Sequence, residues 1–167
     1  MTVLAVVCVV VGALAAALAA AGWWARRHLV VVTVRGSSMQ PTFQHGDRVL
    51  VRRAPITAVR SGQVVVLAAG RPVGPRPPDD PLWMIKRLRA APGDPVPRGE
   101  VPALASVPEQ TVPAGRLVAL GDNPEGSDSR QLGYFHAANL LGVVTLRLAR
   151  APLGSGRGGV PTADGLP

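Results

Sequence analysis

The first two dozen positions show no alternation of polar and apolar residues. Val3 to Trp24 carries no charged side chain and is almost wholly Val, Leu and Ala, interrupted by Gly12 and Gly22. As a helix rising about 1.5 Å per residue, such a run spans about 33 Å, enough for a hydrocarbon core of about 30 Å. The pattern predicts a membrane-spanning helix, with Trp23 and Trp24 at headgroup level and Arg26, Arg27 and His28 just beyond it. A cleaved signal peptide would instead have a positive stretch ahead of a shorter apolar core, and only the terminal amine precedes Thr2.

Beyond residue 28 the pattern changes to short β-branched and apolar runs separated by turn residues, which predicts strands. They fall at Leu29 to Val34, Arg48 to Arg52, Gln63 to Ala68, Leu82 to Leu88, Leu117 to Leu120 and Leu141 to Leu148. Gly46-Asp47, Ser61-Gly62 and Ala91-Pro92-Gly93-Asp94 read as turns between them. Residues 69–81 form a proline-rich loop without periodicity, and residues 95–116, with five prolines, read as an irregular excursion with brief strands. One helical turn is expected around His136 to Leu140, and Gly121 to Arg130 reads as a polar loop. The expected architecture is therefore mainly β: an antiparallel sheet domain over residues 28–150, an anchor over 1–27 and a disordered Gly- and Pro-rich tail over 151–167.

Charge adds little to the fold but narrows the partners. The formal net charge of +8 comes from 17 arginines and one lysine against 10 acidic residues. The arginines are scattered among strand-like and loop segments, with no recognition-helix pattern, zinc-finger spacing or aromatic-interleaved basic stretch. Nucleic acid is therefore not expected as a partner, whereas anionic membrane lipids are. Cys8 is the single cysteine and lies in the apolar run, so neither an intrachain disulfide nor a thiolate metal site is available. His28, His45 and His136 show no metal-ligand spacing, and no metal or other cofactor is expected.

Three features carry candidate chemistry. Ser37-Ser38 follows Gly36 on a flexible stretch within 15 residues of the membrane exit, where a tight turn can present a hydroxyl. Lys86 is the one lysine among 17 arginines and follows an apolar stretch. A lysine, unlike an arginine, loses its proton once desolvated; the alternative is a surface lysine on the polar side of its strand. Arg87 beside it need not prevent burial, because strand neighbours point to opposite faces. Finally, Gly121-Asp122-Asn123-Pro124-Glu125-Gly126-Ser127-Asp128-Ser129-Arg130 concentrates acids, serines and an arginine, yet does not match an EF-hand. Read alone, it is also compatible with a calcium-binding or Asx-turn loop.

Together these segments resemble the type I signal peptidases. Ser38-Met39-Gln40-Pro41-Thr42 is similar to their Ser-Met-X-Pro-Thr box, and Gly46 to Val51 to the strand after it. Ile85-Lys86-Arg87 with Ala91-Pro92-Gly93-Asp94 is similar to the lysine box, and Gly121 to Arg130 to the third signature, in the family's order along the chain. The resemblance implies a serine endopeptidase with Ser38 as nucleophile and Lys86 as general base. It further implies that Ser127 orients the lysine and that Asp128, Arg130, Asp122 and Asn123 brace the loop. Gly36, Ser37, Met39 and Pro41 then belong to the oxyanion and substrate region. Two departures stand out: Gly36 occupies a place where some members carry an oxyanion serine, and the third signature is one residue shorter, with Pro124 where arginine is common.

The implied substrates are exported preproteins with small residues at the first and third positions before the cleaved bond. A dedicated protease for one precursor, such as that of a nickel-type superoxide dismutase, is the alternative enzyme, and an inactive membrane-anchored peptide-binding β module the alternative without chemistry. The implied location is the cytoplasmic membrane, single-pass, with the catalytic domain outside the cytoplasm. The positive-inside rule applied to Arg26 and Arg27 points the opposite way.

Overall fold

The computed structural model describes residues 2–68 and 83–150. A single helix, α1 (Thr2–His28), takes up the apolar run together with Thr2 before it and Ala25 after it, and ends on Arg26, Arg27 and His28. Within it, Ala5–His28 is long and apolar enough to cross a membrane, and none of that span is buried against the rest of the protein. The Arg27 guanidinium lies 4.1 Å from the Trp23 ring centre. This contact gathers the aromatic and cationic groups that favour a membrane interface at the helix end.

With no intervening linker, α1 passes into β1 (Leu29–Thr33). The remaining strands are β2 (Arg48–Arg53), β3 (Val64–Ala68), β4 (Trp83–Ala90), β5 (Arg116–Leu120), β6 (Phe135–His136) and β7 (Leu140–Ala149). They form one sheet in the order β1-β2-β7-β3-β4-β5-β6, and every pairing is antiparallel. The expectation of a mainly β, antiparallel fold behind one N-terminal apolar helix holds. The proline-rich loop 69–81 and the tail 151–167 lie outside the described residues, as does Leu82 at the head of the predicted fourth strand.

Apolar residues on both faces explain why β3 and β5 read as continuous hydrophobic runs rather than alternating ones. On one side Val66 and Ile85 pack with Val30, Val32, Val49, Val51, Met39 and Phe43. On the other, Val65 and Leu67 pack with Leu88, Leu117, Ala119 and Val143. A third cluster joins Val118 and Leu120 to Val96, Val101, Leu104 and Val112, and so folds the irregular 95–116 segment onto the sheet. That segment holds one short 3-10 turn, Pro102–Leu104, and a single bridge between Pro95 and Thr111.

The long β7 bridges β2 and β3, and its position depends on Gly142. A side-chain carbon there would lie 2.1 Å from the Arg52 carbonyl oxygen, so no larger residue fits without parting the strands. A 3-10 turn at Ala137–Asn139 occupies the place where one turn was expected. The loop after β5 is not wholly irregular: it ends in a short helix, α2 (Ser129–Leu132).

Candidate active site

Three segments from distant parts of the sequence meet beside β4. The turn after β1 carries Ser38, with Gln40 N–H donating to the Ser37 carbonyl at 3.0 Å and Phe43 N–H to that of Met39 at 2.8 Å. Met39 is buried and pins the turn to the core, while Ser38 is half-buried. The Gln40-Pro41 peptide is cis. Gly36 N–H donates to His45 Nδ1 at 3.2 Å.

Lys86 sits mid-β4, opposite Val65 of β3. Strand alternation sends Lys86 and Arg87 to opposite sides, and Lys86 is the buried one at 2 % exposure. Burial pushes its amine below the ordinary lysine range; Asp128 partly opposes the shift and Arg130 adds to it.

Arg87 emerges on the other side and forms a two-pronged contact with Asp122, Nε to Oδ1 at 2.9 Å and a terminal nitrogen to Oδ2 at 2.6 Å. Thr42 Oγ1 also donates to Asp122 Oδ2. This carboxylate thereby ties the serine turn, β4 and the loop after β5 together. The hydrogen bond from Arg87 is the main cause that holds the Asp122 carboxyl below the usual range, and burial opposes it. A carboxyl that titrates lower when folded contributes its full stabilisation above its ordinary value of 3.8, and loses it as pH falls through the folded value. Asp122→Asn should thus unfold more readily than the parent at pH 7. With Arg87 more than a third exposed, the gap is about 1 kcal/mol or less. Urea titrations at pH 7 and below pH 3.8 should show the gap closing in acid.

The loop Gly121 to Arg130 lies against both Ser38 and Lys86. Asn123 N–H donates to the Ser38 carbonyl at 3.0 Å, and Asn123 Nδ2 to the Ser37 carbonyl at 3.3 Å. Asp128, fully buried, accepts from Gly121 N–H at 2.7 Å, from Arg130 N–H at 2.8 Å and from the Arg130 guanidinium at 2.6 Å. It also closes a capping box with Gln131 that starts α2. The β4–β5 register pairs Leu88 with Ala119 and Arg87 with Leu120; its continuation sets Gly121, the head of the loop, beside Lys86.

The family model described as signal peptidase, peptidase S26, matches residues 3–101 and 99–149. The chain belongs to this family. Membership implies a serine peptidase, and the matched stretches contain the serine turn, Lys86 and the whole loop from Gly121 to Arg130. Comparison with curated proteins returned no match.

Within this S26 peptidase the serine turn, Lys86 and the 121–130 loop come together, and Ser127 lies on the exposed side of that loop. No hydrogen bond joins the Ser38 hydroxyl to the Lys86 amine among the described residues. Ser127 is exposed, while Lys86 is buried. The buried hydroxyl of the loop is Ser129, at 0 % exposure, which accepts from Ala119 N–H at 3.0 Å. Ser127→Ala should therefore keep the cleavage rate within about threefold, as surface substitutions usually do. A loss of tenfold or more in single-turnover cleavage would restore the orienting role that the family resemblance implies.

Two residues of this site lie within the sequence motifs but were given no role by them. Thr42 and Arg87 both hold Asp122, and the detectable signal for Arg87 was the alternation that sets it opposite a buried Lys86. The Gly36 amide, being engaged by His45, is not a free oxyanion donor.

Proposed function

We propose that this S26 peptidase is a membrane-anchored serine endopeptidase that removes signal peptides from exported preproteins, with Ser38 as nucleophile and Lys86 as general base. The observation that carries this reading is the lone lysine, buried in the sheet with its proton affinity lowered by desolvation, beside the loop that grips Ser38. Serine needs a base to attack a peptide carbonyl, and a desolvated amine supplies one. In this mechanism Ser38 Oγ attacks the scissile carbonyl as Lys86 Nζ takes its proton. Lys86 then gives that proton to the leaving amine, and water hydrolyses the ester with the same amine as base. With Gly36 N–H engaged, the amides of Ser38 and Ser37 are the candidate oxyanion donors. Asp122, Asn123, Asp128 and Arg130 hold the loop, while Met39 and Pro41 shape the turn.

The test is incubation of the detergent-solubilised protein with a panel of precursors, beside a Ser38→Ala version. Cleavage of many precursors after small residues, lost in Ser38→Ala, supports general processing. Cleavage of one precursor only supports a dedicated maturation protease. Cleavage of none would favour an inactive peptide-binding module.

The anchor sets the location. With Trp23, Arg27 and His28 at the helix end and β1 following at once, the sheet domain lies against the membrane surface, where anionic headgroups complement the arginines. The substrates implied by the function emerge outside the cytoplasm, so residues 30–150 should be digested when intact spheroplasts are treated with protease. Full protection there, with degradation after lysis, would reverse the orientation in favour of the charge rule.

A further inference from the structure

Two glycines of the 121–130 loop lie against the nucleophile turn more closely than any side chain allows. A side-chain carbon on Gly126 would stand 2.7 Å from Ser38 Cβ and 3.2 Å from Ser38 Cα. One on Gly121 would stand 2.5 Å from the Ser38 carbonyl oxygen. Neither glycine has a positive φ, so the backbone conformation does not demand glycine at either place. What demands it is the closeness of Ser38.

The loop is built to make this approach. Asn123 stands at its centre: its N–H holds the Ser38 carbonyl and its side-chain oxygen accepts from Glu125 N–H at 3.0 Å. Gly126 N–H turns back toward the Asn123 carbonyl at 3.4 Å. Only four residues separate Asn123 from Asp128, whose buried carboxylate fixes the far end. The short span draws the Gly126 backbone onto Ser38, so that one neighbour grips the serine's carbonyl while another confines its Cβ.

We propose that Gly126 is a positioning residue for the reaction: by having no side chain, it lets the loop close on Ser38 and hold its hydroxyl in the attacking orientation. This rests on the reading of Ser38 as nucleophile. Ordinary contact begins at 3.4 Å, so Gly126→Ala must part Ser38 and the loop by about 0.7 Å from the 2.7 Å approach. A misplacement of about 1 Å costs a reacting group on the order of 100-fold in rate. Gly126→Ala should therefore slow acylation by about 10- to 100-fold without touching Lys86.

The probe is the p-nitrophenyl ester of N-acetylalanine with the full chain in detergent, read as a burst of nitrophenolate. A positioning role predicts that Gly126→Ala keeps the circular dichroism spectrum and the pH dependence of the parent while the burst rate falls, the amplitude dropping only as far as acylation slows toward the rate of deacylation. Glu125→Ala, an exposed neighbour, should match the parent in rate and amplitude. An unchanged rate in Gly126→Ala, or a loss of amplitude alone, overturns the role. Thermal midpoints give a second measurement should Gly126→Ala fold poorly. The penalty of alanine at 126 should at least halve in a Ser38→Gly background, where the Cβ it meets is gone, and an equal penalty in both backgrounds overturns the proposal. Failure of the underlying reading looks different: a burst retained by Ser38→Ala removes the nucleophile itself.

Discussion

Lys86→Arg is expected to leave a folded, membrane-bound protein that cuts nothing. General-base catalysis contributes about 100- to 10,000-fold, and a guanidinium that keeps its proton above pH 12 supplies none of it. Raising the pH to 10 should not rescue the variant, whereas the parent should gain activity along a basic limb whose midpoint lies below the ordinary lysine value of 10.5. The direction follows from burial: desolvation favours the neutral amine, so the base becomes available at lower pH than a solvated lysine would. Were Lys86 a solvated strand residue, arginine would be harmless for activity and within about 0.5 kcal/mol for stability. Near-normal turnover by purified Lys86→Arg would refute the lysine-base mechanism and remove the main support for the dyad. Circular dichroism on the same sample separates loss of chemistry from loss of fold.

Asp128→Ala should cause the largest loss of stability among the site variants. Its carboxylate is fully buried, and its removal strands the Gly121 and Arg130 amides and the Arg130 guanidinium while opening the cap of α2. Breaking a buried pair by removing one partner costs about 3–5 kcal/mol. For a domain of this size that corresponds to a fall in thermal midpoint of about 10–20 °C. Because the same loop grips Ser38 and adjoins Lys86, activity should disappear before the sheet melts. A midpoint within about 3 °C of the parent, by calorimetry, would show that the loop is held by something other than this carboxylate.

The segments that local physics encodes were legible in the chain itself. An uncharged apolar run long enough for a bilayer announces α1, and β-branched runs between turn residues announce β1 to β5 and β7, because hydrophobic length and side-chain direction are properties of neighbouring residues. Phe135–His136 escaped, being two residues long and defined only by its pairing with β5. The helix α2 escaped too, although Asp128-Ser129-Arg130-Gln131 contains the cap-and-return pattern that starts it.

The site divides the same way. Motif order singled out Ser38, Lys86, Asp122 and Asp128 as candidates, and alternation showed that Lys86 and Arg87 face apart. Which of the two is buried depends on which side of β4 other strands cover, and the order β1-β2-β7-β3-β4-β5-β6 decides that through pairings between residues far apart in the chain. Asp122 is 80 residues from Thr42 and 35 from Arg87, so its role as the tie between three segments exists only once the sheet has formed. Ser127 and Ser129 look equivalent in a run of polar residues, and only the capped start of α2 turns Ser129 inward and leaves Ser127 in solvent. Gly126 likewise reads as an ordinary loop glycine until Ser38 is packed against it. Local pattern thus determined the elements and the chemistry available, while burial and close approach, being properties of segments brought together from a distance, were decided by the tertiary structure.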